Sequence, residues 1–299
     1  MKQLFKTTFI FLSLMASHSA YSDDALKATY GKLLALSSTD DISASTLKDD
    51  DGLTYHKLSL PYSFENLYVD GPYSFSLDLR FNYFTVTTDT PLSVDDSTLD
   101  LKWNIYNMVV APRISYAFNE NIVAEGKLEY GYSKMNNHAK FQGNEILHQE
   151  LVRENLIDWS LSSVHITPHL GLNYFKKLKN NDDLFVKSAV GYMILSNLNQ
   201  NKNDPKISNK VGTWSLEGEY TFNNAFQLWG KSLDLSLNNH IGGFYGNHHK
   251  ELGFDFINNT SIAVKTPIRF FGQSRKLKTG LGYLAAEHVH GMMFILGLE

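Results

Sequence analysis

The sequence predicts an all-β chain, a transmembrane antiparallel up-and-down β-barrel of about twelve strands. Three observations lead there. Hydrophobicity alternates with period two along most of the chain, the alternating stretches are long, and the connections between them alternate between short and long. Composition agrees. The 16 Tyr and 19 Phe among 299 residues favour strands. Hydrophobic residues at 43% with charged residues at 19% fit neither a disordered chain nor a helical membrane protein. The absence of Cys excludes disulfides, cysteine-zinc sites, a thiol nucleophile and a lipidated N-terminal Cys. A net charge of −4 leaves no basic footprint, so nucleic acid is not an expected partner.

The N-terminus reads as an export signal over residues 1–22. Lys2 and Lys6 precede the apolar run Thr7 to Ala16, and Ala20-Tyr21-Ser22 places small residues at −3 and −1 before Asp23. That run is too short to cross a hydrocarbon core of ~30 Å. Residues 23–40 form a helix and linker: Leu26, Tyr30, Leu33 and Leu34 recur at i, i+4, i+7 and i+8, with Asp23 and Asp24 at the cap. A helix is ~10–12 Å across, so the Asp23-to-Leu36 segment fits the pore of a twelve-stranded barrel; a frayed periplasmic tail is the other reading.

Residues 41–299 hold the strands. Asp41 to Lys48 supplies the first, needed to make the count even, and Leu53 to Phe64 the second, followed by a connection from Glu65 to Gly71. In Tyr73 to Tyr83 the odd residues Tyr73, Phe75, Leu77, Leu79, Phe81 and Tyr83 form one apolar face opposite Ser74, Ser76, Asp78, Arg80 and Asn82. Leu99, Leu101, Trp103 and Ile105 alternate in one phase and Met108, Val110, Pro112, Ile114, Tyr116 and Phe118 in the other, which predicts a bulge near Tyr106 or Asn107. The rows beginning at Ile122, Val164, Leu184, Trp214 and Leu233 follow, then Leu252 to Phe270, Leu277 to Ala285 and Met292 to Leu298.

Short turns are expected at 119–121, 179–183, 223–224 and 272–276, and long loops at 89–98, 135–158, 197–210 and 246–251. Short turns on one rim and long loops on the other are the pattern of an outer-membrane barrel, with turns in the periplasm and loops outside. Tyr116, Phe118, Tyr174, Phe175, Phe185, Phe222, Phe226, Trp229, Phe270 and Phe271 gather near the short turns as an interfacial girdle. A soluble β-sandwich also alternates, but its strands average ~5–6 residues.

The polar face carries Asp78, Arg80, Asp100, Lys102, Arg113, Glu125, Lys127, Glu129, Lys187, Glu217, Glu219, Asp234, Lys265 and Arg269. Mixed signs point to a paired lumenal network rather than an ion-selective ring. Eleven histidines raise the question of a metal. His165 and His169 lie ~13 Å apart on a strand and His288 and His290 ~6.6 Å apart, and neither pair has a third ligand in view; His248 and His249 fall in a loop. Ser163 and His165 have i, i+2 spacing suited to a hydrolase, with Asn173 or Asp158 to assist, but they sit on the polar face, away from lipid. No catalytic, cofactor-binding or metal residues are assigned, and no cofactor is expected.

An N-terminal helix followed by about twelve strands resembles the translocator barrel of autotransporters. With no passenger ahead of the barrel, the chain resembles the solitary outer-membrane autotransporter-like β-barrel family. The resemblance implies a non-enzymatic barrel of the Gram-negative outer membrane with a structural, surface-loop or translocation role. It implies as partners outer-membrane lipids and lipopolysaccharide, with the assembly and periplasmic chaperone machinery. A narrow solute channel and an outer-membrane lipid hydrolase are the alternatives. The last strand departs from the family pattern, ending Phe294-Ile295-Leu296-Gly297-Leu298-Glu299 without a terminal aromatic.

Overall fold

The computed structural model describes residues 44–49, 52–88, 92–94, 97–153, 157–198, 208–228, 230–246, 256–270 and 273–298. The predicted export signal and the Asp23-to-Leu36 helix lie outside them. The strands are β1 (Ala44–Asp49), β2 (Leu53–Asp70), β3 (Tyr73–Thr88), β4 (Leu92–Val94), β5 (Ser97–Ala117), β6 (Ile122–Gln142), β7 (Ser160–Lys177), β8 (Asp183–Asn197), β9 (Ser208–Leu228), β10 (Lys231–Tyr245), β11 (Phe256–Phe270), β12 (Gln273–Ala286) and β13 (Val289–Leu298). One helix, α1 (Glu145–Arg153), lies between β6 and β7.

Every pairing is antiparallel, and each strand neighbours the next in sequence except at β3 and β4. β1 pairs with β13 from Ala44↔Phe294 to Asp49↔Val289, and β3 passes over β4 to pair with β5 from Tyr73↔Tyr116 to Thr87↔Lys102. The sheet therefore closes on itself as a twelve-stranded barrel, with β4 a short flap paired only to β5. The first strand expected at 41–48 is present from Ala44; residues 41–43 lie outside the description.

Several boundaries differ from expectation. β5 pairs with β3 and with β6 in one unbroken register, so there is no bulge at Tyr106 or Asn107. The change of phase is chemical instead: Leu99, Leu101 and Ile105 are buried on the lumenal side, while Met108 and Val110 face outward. Asp100 and Lys102 consequently share the outward face and do not belong to the lumenal set. β2 does not stop at Phe64 but continues to Asp70 through an irregularity between Phe64 and Tyr68, where Asn66 takes φ 53°. Likewise 223–224 is no turn. β9 runs on to Leu228, and Asn224 (φ 55°) donates its backbone N–H to Asp234 at 2.9 Å. β6 extends to Gln142, so the first third of the loop expected at 135–158 is strand. The 272–276 turn is tighter than expected, since Phe270 already pairs with Gln273. The rim asymmetry has an exception as well: β12 and β13 meet in the two-residue turn Glu287-His288 on the long-loop rim, so His288 is not on a strand.

The outward face of β3 and β5 is framed by tyrosine. Tyr73 and Tyr116 pack as a tilted pair with ring centroids 4.9 Å apart at the short-turn end, and Tyr83 and Tyr106 do so at 5.1 Å toward the long-loop end. The ten residue steps from 73 to 83 rise ~33 Å along a strand, which a tilt of about 40° projects to ~25 Å, the height of an outer-membrane apolar band. Between the pairs stand outward residues such as Met108 (61% exposed) and Ile114 (58%). Phe118, Phe222 and Phe226 are exposed as a girdle requires, whereas Phe175 and Phe185, 4.9 Å apart, share the lumenal parity. Trp229 and Phe271 lie outside the described residues.

Leu77 sits mid-belt, opposite Phe64 and Pro112. Leu77→Arg should destabilise the barrel by ~2–4 kcal/mol, measured as reversible folding into phospholipid vesicles with heat-modifiable gel mobility as the readout.

Candidate functional site

Among the described residues the barrel encloses a lumen, and the side chains that face it are layered. On β3 the inward residues run from the short-turn end as Asp78, Arg80, Asn82, Phe84 and Val86: ionic, then amide, then apolar. Because antiparallel registers place equivalent residues side by side, each layer continues across the neighbouring strands.

The ionic layer has two clusters. In the first, Arg80 donates to Glu129 at 3.0 Å, with both side chains at most 5% exposed, and Lys127 reaches the same carboxylate at 3.0 Å. His169 Nε2 lies 3.4 Å from Glu129 Oε2. Arg113 joins Glu125 at 2.9 Å and Asp78 at 3.3 Å, and Lys187 approaches Glu125 at 3.8 Å. In the second, Glu219 accepts from Lys265 at 2.5 Å and from Lys278, while Asp234 accepts from Lys276 at 2.6 Å. Opposite charges thus meet across strands, as the mixed signs of the polar face suggested. Lys276 and Lys278 were missed, although their position either side of the outward Leu277 was a usable signal.

Above the first cluster runs a hydrogen-bonded row that the sequence reading did not single out. The Ser59 hydroxyl donates to Asn82 at 2.5 Å, the Asn82 amide to Asn107 at 3.0 Å, and the Asn107 amide to the Ser133 hydroxyl at 2.6 Å. All four residues are at most 1% exposed. The adjoining row, Phe84↔Ile105↔Met135↔Leu161, is wholly apolar and at most 2% exposed. With Leu47, Tyr55, Leu195, Leu284 and Met293 it forms an apolar collar inside the barrel toward the long-loop rim. A cavity of about 190 Å³ lies between collar and ionic layer, lined among others by Tyr55, Phe84, Thr167, His169, Lys187 and Asn259.

The residues weighed for chemistry do not converge. Ser163 and His165 both face the lumen and are 2% and 1% exposed, but no hydrogen bond joins them, and neither ring nitrogen of His165 has a hydrogen-bond partner. The ring lies across β6 over Gly131, its register partner, where any Cβ would overlap it. His169 lies in the same way over Gly191. Among the described residues no group of three His, Asp or Glu side chains is placed to hold a metal ion. Asp158 is at the loop rim ahead of β7, accepting from the backbone N–H of Ala139 at 3.1 Å.

The loop between β6 and β7 is folded. Leu151 of α1 and Ile157 are buried with Leu99 and Leu101, and Phe141 stacks on His148 at 5.2 Å.

The family described as the solitary outer membrane autotransporter beta-barrel domain matches residues 40–266. Among solved structures the chain is similar to the translocator domain of autotransporter NalP from Neisseria meningitidis, at 11% identity over 93% of this chain and 96% of that one (TM-score 0.54). It is similar to the transport unit of AIDA-I from Escherichia coli at 10% identity, over 93% and 97% (TM-score 0.56). For the beta domain of the Bordetella autotransporter BrkA the figures are 9%, 85% and 99% (TM-score 0.54). At such identities the likeness concerns the fold alone. Comparison with curated proteins gives no match.

Glu129→Ala would leave Arg80 and Lys127 facing each other in a buried site, and should cost ~3–5 kcal/mol in the same vesicle-folding measurement. Gly131→Ala should cost ~1–3 kcal/mol by overpacking. Most of that loss should vanish in a His165→Ala background, since the two side chains compete for one space.

Proposed function

The chain belongs to the solitary outer membrane autotransporter beta-barrel family, and on that premise we propose that it is a closed, non-enzymatic barrel of the Gram-negative outer membrane that carries its folded loops on the cell surface. The observation that carries this reading is the apolar collar. An apolar ring on the lumenal wall disfavours a continuous water column, and wall charges that pair with one another offer no selective ion path. The long-loop rim, with α1 packed into it, faces outward from the cell under the usual orientation of such barrels. The lumenal Ser163 and His165 have neither the contact nor the lipid access that hydrolysis requires, which supports the non-enzymatic part of the reading.

Conductance in planar bilayers tests it. The intact protein should give no steady conductance, and Phe84→Ala combined with Met135→Ala should raise it by thinning the collar. Deleting residues 23–36, whose periodicity predicts a helix of pore-filling width, should raise it further. A steady, large conductance from the unmodified protein would replace this reading with that of a solute channel.

A further inference from the structure

The outward face changes character abruptly at the upper tyrosine pair. On β6 the outward residues read Tyr130, Tyr132, then Lys134, Asn136, His138, Lys140; on β5 they read Val110, Met108, Tyr106, then Asn104 and Lys102. Register brings the two series together: Lys134 lies directly opposite Tyr106, and Lys102 opposite His138. Lys102, Lys134, His138 and Lys140 are all exposed. Asp100, opposite Lys140, is the carboxylate of this face, and Asp158 lies at its upper edge, so the three lysines leave the patch net positive. Beside them Ser160 donates to Asn136 at 2.7 Å, and the hydroxyls of Tyr132 and Ser162 stand 3.2 Å apart, giving a floor of polar groups just above the belt.

We propose that this face of β5, β6 and β7 is a binding site for a phosphorylated glycolipid of the outer leaflet, the lipid A portion of lipopolysaccharide. The inference rests on the orientation given under Proposed function, which sets the long-loop rim outside. Under it, Tyr83, Tyr106 and Tyr132 lie at the boundary of hydrocarbon and headgroup, where aromatic rings settle. The lysines then project into the headgroup layer next to the sugar phosphates. A snorkelling lysine keeps its ammonium there while its stem packs on the tyrosines below. The acyl chains of the same lipid cover the outer-leaflet half of the apolar belt, below the upper tyrosine pair. Charge complementarity selects the occupant: the ammonium groups of Lys102, Lys134 and Lys140 outnumber the carboxylates of Asp100 and Asp158 and suit the phosphates of the headgroup, and the neighbouring amides and hydroxyls suit its sugar oxygens.

The test uses the full mature chain folded into lipid bilayers doped with lipid A carrying two phosphates or none, with bound lipid per barrel counted by native mass spectrometry. Unmodified protein should retain the diphosphorylated form at least tenfold better than the dephosphorylated one. The triple variant Lys102→Gln, Lys134→Gln, Lys140→Gln should lose most of that preference, and Lys→Arg at the same positions should keep it. Lys176→Gln, Lys179→Gln, Lys231→Gln at the short-turn rim should leave it unchanged. Equal retention of the two lipids by the unmodified protein, undiminished preference in the first variant, or equal loss in the rim variant would overturn the site. Heat-modifiable mobility, recorded in every arm, separates this outcome from failure of the barrel reading, which would appear as unmodified protein that does not fold into the bilayer.

Discussion

Hydrocarbon contains nothing that can hydrogen-bond to a peptide group, and that constraint organises the rest of this molecule. Each N–H or C=O left unpaired in the bilayer costs several kcal/mol, so a sheet can cross only if it has no free edge. Here the sheet closes at β1 and β13 and passes over β4 to join β3 with β5. Once closed, successive side chains have only two destinations, lipid and lumen. The sequence meets both with a period of two. The tyrosine pairs Tyr73–Tyr116 and Tyr83–Tyr106 then set the height at which the barrel rests, because rings with one wet and one dry end settle at the two interfaces.

Closure creates a second problem, since a twelve-stranded barrel encloses more space than short side chains fill. The lumenal wall is lined in two different ways. Toward the short turns, Arg80, Arg113, Lys265 and Lys278 are matched with Glu129, Glu125, Asp78 and Glu219, so the charges that line the wall neutralise one another. Buried ion pairs add little net stability, because desolvation offsets the attraction. Their consequence is geometric: each pair bridges different strands and holds the wall in one register. Toward the long loops the lining is apolar, from Phe84 to Leu161, and the Ser59–Asn82–Asn107–Ser133 chain separates the two regimes. Gly131 and Gly191 belong to the same scheme, since only a missing side chain lets the His165 and His169 rings lie flat on the wall.

Much of this was legible in the residues. The odd residues of Tyr73 to Tyr83 do face outward, the need for an even count located β1, and the mixed signs of the polar face did signal pairing. What escaped follows from one ambiguity: period two separates the faces of a strand but does not say which face meets lipid. Leu99, Leu101 and Ile105 look like a lipid stripe, yet Ile105 belongs to the collar, and Leu99 and Leu101 pack under the β6–β7 loop with Leu151 and Ile157. Their phase therefore suggests a bulge at Tyr106 and places Asp100 and Lys102 on the wrong face. Asn66 and Asn224 resemble turn residues, yet their strands continue, because their positive φ falls at short breaks in the ladder beyond which pairing resumes. The hydrogen-bonded row was invisible because Ser59, Asn82, Asn107 and Ser133 are distant in sequence and become neighbours only through register. The apolar row Phe84–Ile105–Met135–Leu161 could not be read from any single strand.

The absence of native Cys makes the central claim, one wall with lipid outside and paired side chains inside, directly measurable. Single cysteines placed in turn from 75 to 82 on β3 and labelled with a small fluorophore can be read in bilayers whose lipids carry a quencher at mid-depth. Strong quenching at 75, 77, 79 and 81 with little at 76, 78, 80 and 82 is the predicted result. Uniform quenching, an inverted alternation, or a protein that stays in aqueous solution with its strand content intact would contradict it.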